Sequence, residues 1–244
     1  MIPERVLNSP SHKVAAMINI PTWEIKKIGE DMKKVVLMGD SIRMGYDKYV
    51  KEALEGVAEV YYPSENCRFA ENILRFAHVW KEDGKWPDDV DLVHWNVGLW
   101  DVAELFGDPP LTTLDYYIVA IARINNRIRM LYPKAKIIFA TSTPVIETGA
   151  FEFCRHNKNI EEYNKAAIEV LTPLGTSIND LYSLAKEFPK EYHSDAVHYS
   201  TEKGTEMLGG KVISVICREL QISASEVNID NFVPENYSKD SIAY

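Results

Sequence analysis

Cysteine is scarce in this 244-residue chain, which contains only three. Cys67, Cys154 and Cys217 are widely separated and odd in number, and they lack the close pairs typical of zinc-binding or disulfide-rich domains. The sequence therefore predicts no disulfide framework, no metal and no cofactor. Few cysteines without a pairing pattern are typical of proteins from a reducing compartment.

Long apolar runs and an excess of basic residues are also missing. No stretch is long and apolar enough to cross a bilayer, and the first residues contain no apolar export segment. There are 27 Lys and Arg against 36 Asp and Glu, which gives a formal net charge of -9. Such a charge repels nucleic-acid phosphates, and no basic patch offsets it. We therefore expect a cytoplasmic protein with neither a membrane nor a nucleic-acid partner.

The chain length favours one domain, since 244 residues fall short of two domains of roughly 150 residues each. Hydrophobic residues make up 46% of the chain, which is enough for a large core. Several prolines and a lack of periodicity predict an extension over residues 1–33. Residues 34–220 form the predicted domain, and the polar residues 221–244 form a tail. This tail either wraps around the surface or contacts a second copy of the chain in a homo-oligomer.

Strand-like and helix-like segments alternate along the predicted domain. Apolar runs typical of strands cover residues 35–38, 57–62, 91–98, 136–141 and 176–180. Helical patterns cover residues 46–55, 70–81, 112–131, 159–171, 181–186 and 201–220. Such alternation predicts an α/β domain with a central, mostly parallel five-stranded sheet and helices on both faces, a three-layer α/β/α sandwich.

The stretch around Ser41 directly follows the first predicted strand. Gly39 permits a tight turn at the end of this strand, and helix-forming residues resume after Ser41. In open parallel sheets, ligands bind outside the carboxyl ends of the strands, where this turn would present the Ser41 hydroxyl. The alternative is that Asp40 and Ser41 only cap the helix.

A second polar segment, just before the last predicted helix, contains Asp195 and His198. A serine becomes a good nucleophile when an imidazole takes its proton, and a carboxylate fixes the tautomer of that imidazole. Asp195 and His198 could supply both groups. His193 competes as the base, and an Asp-His pair that only orders a loop is the alternative.

Taken in order, these motifs resemble those of the SGNH, or GDSL, hydrolase family. The Gly-Asp-Ser block that ends at Ser41 matches the first family block, and Asn96 looks like the asparagine block after the third strand. Asp195 and His198 resemble the last block. The match spans most of the chain and implies a flavodoxin-like fold and a serine esterase that works through an acyl-enzyme. In that activity Ser41 is the nucleophile, His198 is the general base and then the general acid, and Asp195 orients His198.

The resemblance also implies three oxyanion donors, which are the Ser41 backbone N–H, the Asn96 amide and a backbone N–H from the second block. Cys67 occupies the usual glycine position of that block, and His94 stands where many members have glycine. Cysteine keeps the N–H but is strained if the loop needs a positive φ. As a nucleophile, Cys67 has no identifiable base nearby in sequence. Asp101 is predicted to order its loop.

The substrate is less well specified, because members of the family act on many acyl compounds. Arg68 and Trp100 are predicted to line the mouth of the site and to bind a small polar or carbohydrate-borne ester, with ordinary packing as the alternative for Trp100. Trp80, Trp86 and Trp95 are predicted to be structural.

Two other functions are alternatives to an esterase. A catalytically weak protein that binds small molecules or carbohydrates on the same fold is suggested by the cysteine at position 67. A flavodoxin-like nucleotide binder would use the same crevice, but the chain lacks a Gly-x-x-x-x-Gly-Lys phosphate loop.

Overall fold

The computed structural model describes residues 32–227. Most of the predicted extension and the end of the predicted tail, residues 1–31 and 228–244, lie outside this part. Within it, no helix combines the length and the apolar character that a membrane span requires.

The centre of the domain is a five-stranded sheet. Its strands are β1 (Lys33–Met38), β2 (Ala58–Tyr61), β3 (Leu92–Asn96), β4 (Lys136–Ala140) and β5 (Ser177–Asn179). Their order in the sheet is β2-β1-β3-β4-β5. β3 pairs in parallel with β1 and with β4, and β4 pairs in parallel with β5. The predicted parallel sheet is confirmed, with four strands a little shorter than the apolar runs and β1 beginning two residues earlier than its run.

Seven helices are described on the two faces of this sheet. They are α1 (Ser41–Met44), α2 (Asp47–Ala53), α3 (Ala70–Asp83), α4 (Leu114–Leu131), α5 (Asn157–Leu171), α6 (Leu181–Ala185) and α7 (Glu202–Leu220). Helices α3, α4 and α5 pack in series, whereas α2 and α6 pack against α7. Right-handed crossovers in this strand order put these two groups on opposite faces. The three-layer sandwich is confirmed.

Apolar side chains of the central strands form the core. β3 is buried along its whole length, and Trp95 on β3 meets Phe139 on β4 edge to face, with ring centroids 4.8 Å apart. Trp80 and Trp86 are also buried against this core. The three tryptophans predicted to be structural therefore pack inside the domain.

Arg43 connects the turn after β1 to the loop after β2. Its guanidinium pairs with Asp47 at 2.5 Å and donates to the carbonyl oxygens of Pro63 and Glu65. Both side chains of the pair are buried. A buried charge without these partners would be strongly destabilising, so the two loops are held in one arrangement. The sequence pattern gave no sign of this role.

The first residues of the predicted tail lie on the domain. Ile222 and Ala224 pack against the core, and the Ser225 N–H donates to the Ala53 carbonyl at the end of α2, at 2.8 Å. These contacts continue the chain along the surface beyond α7.

Gly39 directly follows β1 and packs against Asn96, the last residue of β3. A Cβ atom at this position would be 1.9 Å from Oδ1 of Asn96 and 2.8 Å from Cβ of Arg43. Both neighbours are buried, so neither can move away without disturbing the core. The turn therefore requires glycine because of close approach.

Gly39→Ala is predicted to lower the free energy of unfolding by about 1–3 kcal/mol, because the added methyl group overlaps the Asn96 amide. Gly210→Ala is the matched control. Its Cβ in α7 would meet nothing within 4 Å, and alanine favours a helix over glycine by about 0.5–1 kcal/mol. Urea titration measures both variants. A Gly39→Ala protein as stable as the wild type would contradict the close packing.

Candidate active site

Ser41 is the first residue of α1, at the carboxyl end of β1. Asp40 caps this helix, since its Oδ1 accepts a hydrogen bond from the Ile42 N–H at 3.0 Å. The Ser41 side chain takes no part in the cap. Its hydroxyl is instead directed at the segment that precedes α7. Of the two interpretations of the sequence, capping applies to Asp40 and not to Ser41.

Ser41, His198 and Asp195 form a hydrogen-bonded chain. Oγ of Ser41 is 2.8 Å from Nε2 of His198, and Nδ1 of His198 is 2.7 Å from Oδ2 of Asp195. A carboxylate only accepts, so Nδ1 carries the hydrogen and Nε2 is left to accept from the serine hydroxyl. This is the tautomer that a general base requires.

The segment before α7 holds Asp195 in place. Oδ1 of Asp195 accepts hydrogen bonds from the backbone N–H groups of Val197 and His198, at 2.7 and 2.8 Å. Burial alone would raise the pKa of Asp195, but the His198 ring and the two N–H groups outweigh it and hold the pKa below its usual range. Asp195 is therefore ionised at neutral pH, as a partner for an imidazolium must be.

The two other histidines named above, His193 and His94, make contacts with structural residues. His193, the competing base, stacks on Tyr199 with ring centroids 4.1 Å apart. His94 is fully buried in β3 and accepts a hydrogen bond from the Asn179 amide at 3.1 Å. Burial lowers the pKa of His94 to about 3, so it is neutral. His198 is thus the imidazole that contacts Ser41.

Asn96 ends β3 beside the Ser41 turn. Its Nδ2 donates to Oδ1 of Asp40 at 2.7 Å. An amide nitrogen carries two hydrogens, so one is left for a ligand. Burial raises the pKa of Asp40, against the opposing effect of the hydrogen bonds from Asn96 and Ile42. Asp40 thereby orients both the serine turn and the asparagine amide.

The structure corrects the assignment of Cys67 as an oxyanion donor. The Cys67 N–H already donates to the Gly39 carbonyl at 3.1 Å. Cys67 does not have a positive φ, whereas its neighbour Arg68 does, at 51°. The positive φ considered for Cys67 is therefore found one position later, at Arg68. Through this hydrogen bond, Cys67 connects the loop after β2 to the Ser41 turn.

Cys67 is also a poor nucleophile. Its side chain is fully buried, and burial raises the pKa of the thiol to about 11. A buried, protonated thiol cannot attack an ester.

Arg68 and Trp100, the predicted substrate contacts, lie on two adjoining loops. The loop after β2 and the loop after β3 meet where Phe69 packs edge to face on Trp100, with centroids 5.4 Å apart. The N–H of Arg68 donates to Oδ1 of Asn66 at 2.9 Å. Both Arg68 and Trp100 are partly exposed. The structure thus brings these two side chains to the same pair of loops.

Asp101 connects the same two loops through its buried carboxylate. Its carboxylate accepts from the Ala70 N–H, which starts α3, at 3.2 and 3.3 Å. The residue is fully buried, and burial raises its pKa to about 7. Asp101 therefore orders its loop by capping a helix of another segment.

No protein-family model matches this sequence, and no curated protein matches it. Solved structures do. A lipase/acylhydrolase from Enterococcus faecalis aligns with 23% identity and a TM-score of 0.59 over 80% of this chain and 100% of the other. A GDSL-like lipase from Bacteroides thetaiotaomicron aligns with 18% identity and a TM-score of 0.60, over 86% and 98%. The chain has the SGNH hydrolase fold.

A third similar structure is a carbohydrate esterase family 3 protein from Talaromyces cellulolyticus. It shares 20% identity and a TM-score of 0.58 with this chain, over 78% of this chain and 99% of the other. At such identities an SGNH hydrolase fold is established and a reaction is not, because one fold serves many functions. The function has to be argued from the site residues.

Asp101→Asn is predicted to change how stability depends on pH. Because the folded-state pKa of Asp101 is raised to about 7, the folded protein holds this proton more tightly than the unfolded chain does. The stability of the wild type relative to the variant should therefore fall as the pH rises from about 4 to about 7. Urea titration of both proteins across this range is the measurement. A difference that does not vary with pH would contradict the raised pKa.

Proposed function

We propose that this chain is a serine esterase that hydrolyses a carboxylic ester through an acyl-enzyme intermediate. The observation that supports this most strongly is the hydrogen-bonded chain from Ser41 through His198 to Asp195, with spacings of 2.8 and 2.7 Å. These are distances at which a proton can pass from the serine to the imidazole. The proposal also fits the ester-hydrolysing names of the similar structures.

In the first half of the reaction, Nε2 of His198 takes the hydroxyl proton while Oγ of Ser41 attacks the ester carbonyl. The imidazolium that forms is stabilised by the ionised Asp195. His198 then returns the proton to the leaving alcohol, and the acyl group stays on Ser41. In the second half, a water molecule is activated by His198 in the same way and releases the acid.

The negative charge on the carbonyl oxygen needs donors that are already in position. Among residues 32–227, the Ser41 N–H donates to no other group, and Asn96 Nδ2 uses only one of its two hydrogens, in the bond to Asp40. We assign these two groups to the oxyanion hole. Loss of one such donor costs about 2.7–4 kcal/mol of transition-state stabilisation in a comparable hydrolase. Cys67 contributes indirectly, through its hydrogen bond to Gly39.

The substrate we propose is a small polar ester, such as an acetyl ester on a carbohydrate. Trp100 offers a ring on which a sugar could stack, and Arg68 offers hydrogen-bond donors beside it. No described residue pairs with the Arg68 guanidinium, so its donors are open to a ligand. Among the similar structures, one is named a carbohydrate esterase and another an acetyl xylan esterase.

Ser41→Ala is predicted to lower kcat for p-nitrophenyl acetate by roughly 10⁴-fold or more, because it removes the nucleophile. Ser200→Ala is the matched control, since Ser200 is a neighbouring, nearly buried serine without a place in the proton path. It should retain wild-type turnover. Circular dichroism checks that both variants are folded. Full activity in Ser41→Ala would overturn the proposed mechanism.

Cys67→Gly tests the alternative of a weak binding protein. Because Cys67 has an ordinary φ and keeps its N–H in a hydrogen bond, restoring glycine should not raise kcat. It should lower the free energy of unfolding by about 1–3 kcal/mol, since a buried side chain is lost and glycine gains freedom in the unfolded chain. Ester kinetics and urea titration measure both effects. A large gain in turnover would show instead that cysteine disables the site.

A further inference from the structure

A second group of reactive side chains lies outside the proposed catalytic centre. Glu104 follows β3, and Cys154 and His156 precede α5. Their Oε, Sγ and ring nitrogen atoms all lie within 4.8 Å of one another. Within residues 32–227, no other group of three or more such side chains comes together in this way.

The backbone fixes these three side chains on one side of the chain. Glu104 and Cys154 form an antiparallel bridge in which each N–H donates to the carbonyl of the other, both at 3.0 Å. Residues directly opposite each other in such a bridge point to the same face. His156 is two residues beyond Cys154 in extended backbone, so it shares that face as well.

The distances from Nε2 of His156 to the other two donor atoms are close to those around a tetrahedral metal ion. Nε2 of His156 is 3.7 Å from Sγ of Cys154 and 3.6 Å from Oε2 of Glu104. With zinc–sulfur and zinc–nitrogen bonds of about 2.3 and 2.0 Å, tetrahedral ligand atoms lie about 3.3–3.6 Å apart. Two of the three donor pairs are already close to this spacing, and the third pair, Sγ of Cys154 and the Glu104 carboxylate, lies within 4.8 Å and would close by side-chain rotation. Thiolate, imidazole and carboxylate are the ligands that zinc prefers.

The surrounding residues orient the donors in the way that metal sites require. Nδ1 of His156 is 3.1 Å from Oε2 of Glu147, and a hydrogen on Nδ1 leaves the Nε2 lone pair facing Cys154. Glu147 is itself held by the Asn157 N–H at 2.9 Å. The other oxygen of Glu104 accepts from the Asn159 amide at 2.7 Å. Ligand histidines and carboxylates are characteristically supported by such hydrogen bonds.

Two simpler interpretations account for less of this geometry. A protonated His156 between Glu104 and Glu147 would explain the two carboxylates but not the position of the Cys154 sulfur. A Cys154–His156–Glu147 nucleophile would explain the sulfur but leaves the Glu104 carboxylate, 3.6 Å from Nε2 of His156, without a role. A divalent cation interacts favourably with all of these groups.

We propose that Glu104, Cys154 and His156 bind one zinc ion, with Glu147 as the positioning residue of His156. Binding displaces the Cys154 thiol proton to solvent, and the fourth coordination position is left to water. The ion would join the loop after β3 to the segment before α5. Arg155, between two of the ligands, donates through Nε to the Leu99 carbonyl. The zinc would therefore stabilise the loop that also contains Trp100.

The test is metal binding by the full-length protein after removal of metals with a chelator. The stripped protein is dialysed against Zn²⁺ or Co²⁺, and bound metal is counted by mass spectrometry. We expect one ion per chain, a higher Tm with Zn²⁺, and a thiolate-to-metal charge-transfer band with Co²⁺. Cys154→Ser should abolish the band, and Glu147→Gln should weaken binding by about 10- to 100-fold.

Cys217→Ser is the matched control, because Cys217 lies on α7 and belongs to no such group. It should bind the metal as the wild type does. His156→Gln provides a second ligand variant if Cys154→Ser does not fold, as judged by circular dichroism. Failure of the wild type to retain one ion per chain would overturn the proposal. So would equal binding by Cys154→Ser, His156→Gln and the wild type. Neither result depends on whether the protein is an esterase.

Discussion

The parallel pairing of β1 with β3 is the constraint on which the proposed site depends. In this register Met38 lies opposite Trp95, so the Gly39 turn and Asn96 leave the sheet side by side. The strand order changes direction between these two strands, and crevices form at such points in open parallel sheets. The residues that contact the Ser41 hydroxyl are arranged around this junction. They include His198, which follows Ser41 by 157 residues in the chain.

Buried polar groups hold the loops at this junction in place. Asp40 links the serine turn to the Asn96 amide, and Arg43 fixes the loop after β2 through Asp47 and two carbonyl oxygens. Asp101 then joins that loop to the loop after β3. Each of these groups would be costly to bury alone, so the loops are bound to one another as well as to the sheet. A site built this way is organised before substrate arrives.

The fold was largely predictable because its signals are local. Apolar strand runs and helical periodicity identify the elements, and the order of the motifs predicts which strand ends carry polar residues. Contacts between distant segments were not predictable. Nothing near Cys67 in sequence indicates that its N–H is used by Gly39, and Arg43 looks like an ordinary helix residue. Glu104 precedes β4 in the sequence, and Cys154 and His156 follow it. The three side chains come together only in the folded chain, so cysteine spacing gave no sign of a metal site.

The central claim is that Ser41 is the nucleophile activated by His198. Its most direct test is covalent labelling of the native protein with an alkyl fluorophosphonate, followed by peptide mapping by mass spectrometry. The account predicts a single phosphonyl adduct on the peptide that contains Ser41, and no adduct in a folded His198→Ala variant. An adduct on another residue, or a wild-type protein that remains unlabelled, would contradict it.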